Sequence, residues 1–176
     1  MMQYIEQIRD LASKDQYIHE IKGFIENLIA HDKNKALQVA RTLFFAPETH
    51  PRVRYVVAER LGKVGSRQLF QQLLSYFILR KFPDTLSLLA ALKSYADAEA
   101  LPALSEYYPG GNYRECLEII DTLAQTQAPE TVELLSQIYN EQIVYQQDLE
   151  RDELENLRQR ASAAMGKQMM RFDFGV

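Results

Sequence analysis

Apolar positions in this chain recur about every 31 residues, and that period restricts the fold more than any other feature. Displacing the sequence by this interval superposes Val57, Leu88 and Ile119, then Ala58, Leu89 and Ile120, then Leu61, Leu92 and Leu123. Farther along, Phe70, Leu101 and Val132 align, as do Leu73, Leu104 and Leu135, and finally Phe77, Tyr108 and Tyr139. A unit of this length is too short to enclose a core of its own. Each copy must bury its apolar face against the next, which is how repeat architectures are stabilised.

Within a unit the spacing is helical. Val53, Val57, Leu61 and Val64 form one stripe, and Leu69, Phe70, Leu73, Leu74 and Phe77 form another. Breakers fall between stripes. Gly62 and Gly65 close one helix and Ser66 can cap the next. Pro51 and Pro83 sit where a first helical turn tolerates proline. Pro109-Gly110-Gly111 is a turn, and Asn112 with Glu115 has the form of a capping box. Asp97 and Ala128-Pro129 start two more helices. The expected helices lie near 2–12, 16–30, 33–45, 51–64, 67–80, 84–95, 98–108, 113–126, 129–145 and 148–168. With few glycines and little alternating β-branched sequence, a β-rich fold is not expected.

The run Pro51-Arg52-Val53-Arg54-Tyr55-Val56-Val57-Ala58-Glu59-Arg60-Leu61-Gly62-Lys63-Val64-Gly65 resembles the second helix of a HEAT-like repeat, in the short variety named after phycobilisome lyases. Pro51, Val53, Arg54, Leu61, Gly62 and Gly65 carry the likeness, while His50 stands where that family usually has aspartate. The units around 86–97 and 114–128 keep the apolar registers and lose the Val-Arg and Gly signatures. The resemblance spans about residues 33–140. It implies an all-α fold: an α-α superhelix, a HEAT-like or armadillo-type solenoid of short antiparallel helix pairs. It also implies a surface-presenting role, and it carries over no catalytic residue. The expected organisation is a single domain over 1–176, with an N-terminal helical cap at 1–32, HEAT-like repeats at 33–145, a charged capping helix at 146–170 and a tail at 171–176.

Charge is distributed unevenly. Between His31 and Lys81 there are ten Lys and Arg against three acids, a balance of +7. Between Asp97 and Glu155 there are fourteen acids against two arginines, a balance of −12. In a linear stack, position in sequence maps to position along the array, so this asymmetry hints at charged partners or charge-steered association. The expected function is that of a non-enzymatic scaffold or adaptor for another protein, with head-to-tail self-association as a variant. The expected contact residues are Arg52, Arg54, Tyr55, Glu59, Arg60 and Lys63. The alternative is nucleic-acid binding through phosphate contacts of the 31–81 segment. Against it stand the net acidic charge and the lack of a basic stripe along the whole chain. An enzyme or lyase subunit is a third reading, for which no acid–base pair or nucleophile stands out.

Other features are weaker. One cysteine, Cys116, permits neither an internal disulfide nor a Cys-based zinc site. It lies near a helix start, where the dipole would lower a thiol pKa, but packing is the expected role. His19, His31 and His50 show no metal-binding spacing, and no metal or cofactor is expected. Asp173-Phe174-Gly175 matches a kinase tripeptide without its companion motifs. Tyr107, Tyr108 and Tyr113 flank the Pro-Gly-Gly turn and are expected to fill gaps between repeats rather than form an interface. The Phe172–Val176 tail offers an alternating pattern suited to strand addition, although a frayed or folded-back end is the expectation. Charges in the first fifteen residues argue against a signal peptide, and no run of 18 apolar residues occurs, so the expected setting is the cytoplasm with no membrane contact.

Overall fold

The helices begin and end where side chains can satisfy free backbone groups. In the computed structural model, which describes residues 8–173, a helical stretch at 8–12 and a 3-10 turn precede α1 (Ile18–His31). Then follow α2 (Lys33–Phe45), α3 (Pro51–Val64), α4 (Arg67–Ile78) and α5 (Thr85–Tyr95). Asp32 Oδ1 accepts from the Lys35 N–H at 3.0 Å, and Ser66 Oγ from the Leu69 N–H at 3.3 Å. His50 Nδ1 accepts from the Arg52 N–H at 3.3 Å, so the imidazole caps α3 in place of a carboxylate. The end of α4 is a Schellman motif: the Arg80 N–H donates to Phe77 O and the Lys81 N–H to Tyr76 O, both at 3.1 Å. Arg80 occupies the left-handed position, φ 51°, that glycine usually takes.

The chain continues through a 3-10 turn into α6 (Leu101–Tyr107), then α7 (Tyr113–Gln125), α8 (Glu130–Tyr139) and α9 (Arg151–Asp173). The capping box at α7 forms: Asn112 Oδ1 accepts from the Glu115 N–H at 3.1 Å, and Glu115 Oε2 accepts from the Asn112 N–H at 2.9 Å. The fold is all-α, and no strand occurs among the described residues. No helix among them is long and apolar enough to cross a membrane.

The helices gather into two compact units, Met1–Tyr95 and Ala96–Val176. In the first, α3 packs against α1, α2 and α5, and buries Val53, Val57, Ala58 and Leu61. Helices α3 and α5 lie side by side and parallel. Arg54 meets Asp84 at their N-terminal ends and Gly62 meets Ser94 at their C-terminal ends, separations of 30 and 32 residues. The packing register is thus the sequence period itself. Gly62 makes this approach possible, since its N–H donates to Ser94 Oγ at 2.8 Å and a Cβ there would overlap the Ser94 carbonyl. A Cβ at Gly65 would overlap the Tyr95 ring and hydroxyl.

In the second unit α9 packs along α7 and α8, burying Leu157, Ala161, Ala164 and Gln168 at helical spacing. Gln168 Nε2 donates to Leu123 O at 2.6 Å and Thr126 O at 2.7 Å, and Arg171 donates to Ala124 O at 3.0 Å. These are carbonyls of the last turn of α7 and its cap, which have no partner within the helix. The side chains of α9 therefore terminate α7.

Two boundaries differ from expectation. The helix expected over 129–145 stops at Tyr139, where Glu141 adopts φ 57° and Gln142 N–H bonds Gln137 O at 3.0 Å. Residues beyond it are used locally: the Gln146 N–H donates to Pro109 O, Gln147 to Gly110 O, and Tyr145 meets Tyr108. The last helix runs to Asp173, so Arg171 and Phe172 belong to a helix rather than a tail. The rest of the expected tail lies outside the described residues.

The repeat registers fare well in the first helix of each set. Val57, Leu88 and Ile119 are buried, as are Ala58, Leu89 and Ile120, and Leu61, Leu92 and Leu123. Leu73, Leu104 and Leu135 are buried too. Phe70 is fully buried, while Leu101 and Val132 are half-buried, and Tyr139 is exposed where Phe77 and Tyr108 are enclosed.

Candidate interaction surface

Six residues of α3 are candidates for contact, and the structure divides them by which side of the helix they leave. Arg54 turns inward. Its Nε donates to Phe44 O at 3.1 Å and one terminal nitrogen to Ala46 O at 2.9 Å. The other terminal nitrogen reaches Asp84 at 3.2 Å, and the guanidinium lies 5.8 Å from the Phe82 ring centroid. Asp84 in turn caps α5, with Oδ1 accepting from the Ser87 N–H at 3.0 Å and Oδ2 from the Ser87 hydroxyl at 2.7 Å. One cation thus closes the C-terminal end of α2 and ties α3 to the start of α5. The planar fork of arginine suits this, as lysine could not direct several donors at fixed angles.

Arg60 is also inward-facing. Its Nε and one terminal nitrogen donate to Glu26 Oε1 at 3.2 and 2.8 Å, joining α3 to α1, and the other terminal nitrogen reaches Val56 O and Glu59. The Arg60 guanidinium hydrogen-bonded to it holds the Glu26 carboxyl below its ordinary range. Arg54 and Arg60 are both buried, so neither is presented to a partner in this structure.

Arg52, Tyr55, Glu59 and Lys63 form the outward stripe, at spacings that keep them on one face. The Arg52 side chain is 74% exposed and reaches Asp15 at 3.4 Å. Tyr55 is half-buried with the Lys93 ammonium 5.9 Å from its ring centroid, Glu59 is half-exposed beside Arg60, and Lys63 is exposed. Sequence reasoning missed Asp84, although its position three residues before Ser87 was a cap signal. It also missed Gln168, a polar residue on the buried stripe of α9 that no sequence motif marks.

Charge divides by unit. Through Tyr95 there are fourteen Lys and Arg against nine Asp and Glu, a balance of +5. From Ala96 onward there are six against fifteen, a balance of −9. Because Arg54 and Arg60 are already paired with Asp84 and Glu26, the exposed cations of the first unit are sparser than its sequence suggests.

The second unit holds a closed polar cluster rather than a reactive one. Tyr108 is fully buried with its hydroxyl 3.2 Å from that of Tyr145. The Cys116 thiol lies 3.4 Å from Tyr108 O and 3.5 Å from Gly111 O. Burial pushes the Cys116 thiol up to about 12, overriding the helix-start effect, and burial likewise raises Tyr108 and Tyr145. Tyr107 donates to Glu115 at 3.1 Å and Tyr113 is half-buried. Among the described residues no group of three or more His, Cys, Asp or Glu is placed to hold a metal ion. Comparison with protein-family models, curated proteins and solved structures returned no match.

Proposed function

We propose that the chain is a short HEAT-like α-solenoid that binds other proteins as a non-enzymatic scaffold or adaptor in the cytoplasm. Supporting the architecture are the parallel packing of α3 and α5 at the period of the sequence and the Arg54–Asp84 link between them. The observation that carries the function is the division of charge between the units, +5 and −9, together with the outward stripe Arg52, Tyr55, Glu59 and Lys63. Such a surface steers an oppositely charged partner and sets its register more than it raises raw affinity. The nucleic-acid alternative draws on the same cations, and burial of Arg54 and Arg60 removes two of them from any phosphate-facing surface.

The test is affinity capture with the full chain, an Arg52→Glu/Lys63→Glu variant and a Glu130→Lys/Glu133→Lys variant, each checked for helicity by circular dichroism. A defined protein retained by the wild type and lost by one folded variant supports the reading. A partner held equally by all three contradicts it, and retention abolished by nuclease favours nucleic acid.

A further inference from the structure

The second unit contains a cleft of about 440 Å³ between α6 and α8. Leu101, Pro102, Leu123 and Leu134 line it, and Glu130 and Glu133 stand on its lip, both exposed. An apolar floor with carboxylates at one edge fits an apolar side chain followed closely by a cation. The chain itself displays that combination elsewhere. At the end of α4, Ile78 is 59% exposed and Leu79 57% exposed, Arg80 turns the backbone, and Lys81 is exposed just after. The period does not demand this pair. The positions matching Ile78 are Pro109 and Asn140, and those matching Leu79 are Gly110 and Glu141. A second exposed apolar pair followed by a cation, Met169–Met170 with Arg171, lies in the acidic unit along with the cleft's own carboxylates, whereas the Ile78–Leu79 corner lies in the basic unit, whose charge complements the cleft's unit.

We propose that the chain associates head to tail with a second copy of itself, the Ile78–Leu79 corner of one copy seating in the α6/α8 cleft of the next while Lys81 meets Glu130 or Glu133. This rests on the protein-binding reading and names its partner. The two surfaces differ, so the contact can repeat from copy to copy in chains or rings, or be made twice, reciprocally, in a two-fold pair. The contact is small, so association is weak and concentration-dependent. The opposite balances of the two units favour the encounter and make it sensitive to salt.

Sedimentation velocity over a concentration series tests this. Wild type should associate at low salt and dissociate when salt brings the screening length to about 3 Å. Ile78→Ser/Leu79→Ser and Glu130→Gln/Glu133→Gln change exposed side chains only, and circular dichroism verifies their fold. Each should associate at least about tenfold more weakly, equivalent to roughly 1.4 kcal/mol. Mixing the two variants should restore a one-to-one dimer that does not grow, because one retains the cleft and the other the corner. A monomer at every concentration, or assembly unchanged in both variants, overturns the proposal. If the wild type stays monomeric yet still captures a defined protein, the self-association inference fails while the scaffold reading stands. If it does neither, both fail.

Discussion

Arg54 and Asp84 lie 3.2 Å apart across the α3–α5 contact, and each also closes a helix end: Arg54 that of α2, Asp84 that of α5. Arg54 is buried and Asp84 partly so, with side-chain exposures of 7% and 15%. Removing one member leaves a largely enclosed charge without its partner, which costs up to about 3–5 kcal/mol for a fully buried pair. Arg54→Ala and Asp84→Ala should each lower unfolding free energy by that order in urea titrations. Arg54→Lys should recover little of it, because three of its targets are carbonyls reached by the guanidinium fork.

The glycines separate into two kinds. Gly62→Ala places a methyl group on the Ser94 backbone and should destabilise by about 1–3 kcal/mol through forced separation of α3 and α5. Gly166 sits inside α9 with nothing near the position of a Cβ, so Gly166→Ala should stabilise by about 0.5–1 kcal/mol. Opposite shifts of thermal midpoint in the two variants check this, and a gain from Gly62→Ala would refute the close-approach account.

Ala96 adopts φ 49° just beyond α5. A Cβ in this region costs roughly 1–2 kcal/mol, part of which glycine's greater unfolded-state freedom takes back. Ala96→Gly should therefore raise stability by about 0.5–1 kcal/mol, measured by thermal or denaturant unfolding.

Alkaline pH should unfold the protein through its buried acids. The Cys116 thiol is pushed from 9.0 to about 12 and the Tyr95 hydroxyl from 10.0 to about 12, both by burial. Groups with raised folded values release protons more readily when unfolded, so stability is complete below about pH 9 and falls as pH climbs towards 12. Cys116→Ala should flatten the lower part of that decline. In the native protein a thiol reagent at mildly alkaline pH should modify Cys116 only at the rate of unfolding, and rapid labelling would contradict its enclosure.

Much of the helical layout was legible because its signals are local. Ser66, Asn112 and Glu115 cap where their side-chain chemistry says they should, and Leu61, Leu92 and Leu123 are buried because the period places them on inward faces. The destinations of long side chains were not legible. Arg54 and Arg60 resemble Arg52 and Lys63 in sequence, and only the positions of Asp84 and Glu26 on neighbouring helices turn them inward. The end of α8 at Tyr139 was hidden for a similar reason: residues 140–145 read as a continuation of that helix, but Tyr145, Gln146 and Gln147 are drawn to the Tyr108–Gly110 turn. The Gln168 cap on α7 depends on a contact 42 to 45 residues away, which no local pattern encodes.

The most direct test of the central claim is titration calorimetry of a captured partner against the wild type, the Arg52→Glu/Lys63→Glu variant and the Glu130→Lys/Glu133→Lys variant over a range of salt. Affinity that weakens as screening rises, and collapses in one charge-reversed variant whose helicity and thermal midpoint are unchanged, is the predicted result. Affinity that is insensitive to salt and equal in all three proteins would contradict a role for these charged surfaces.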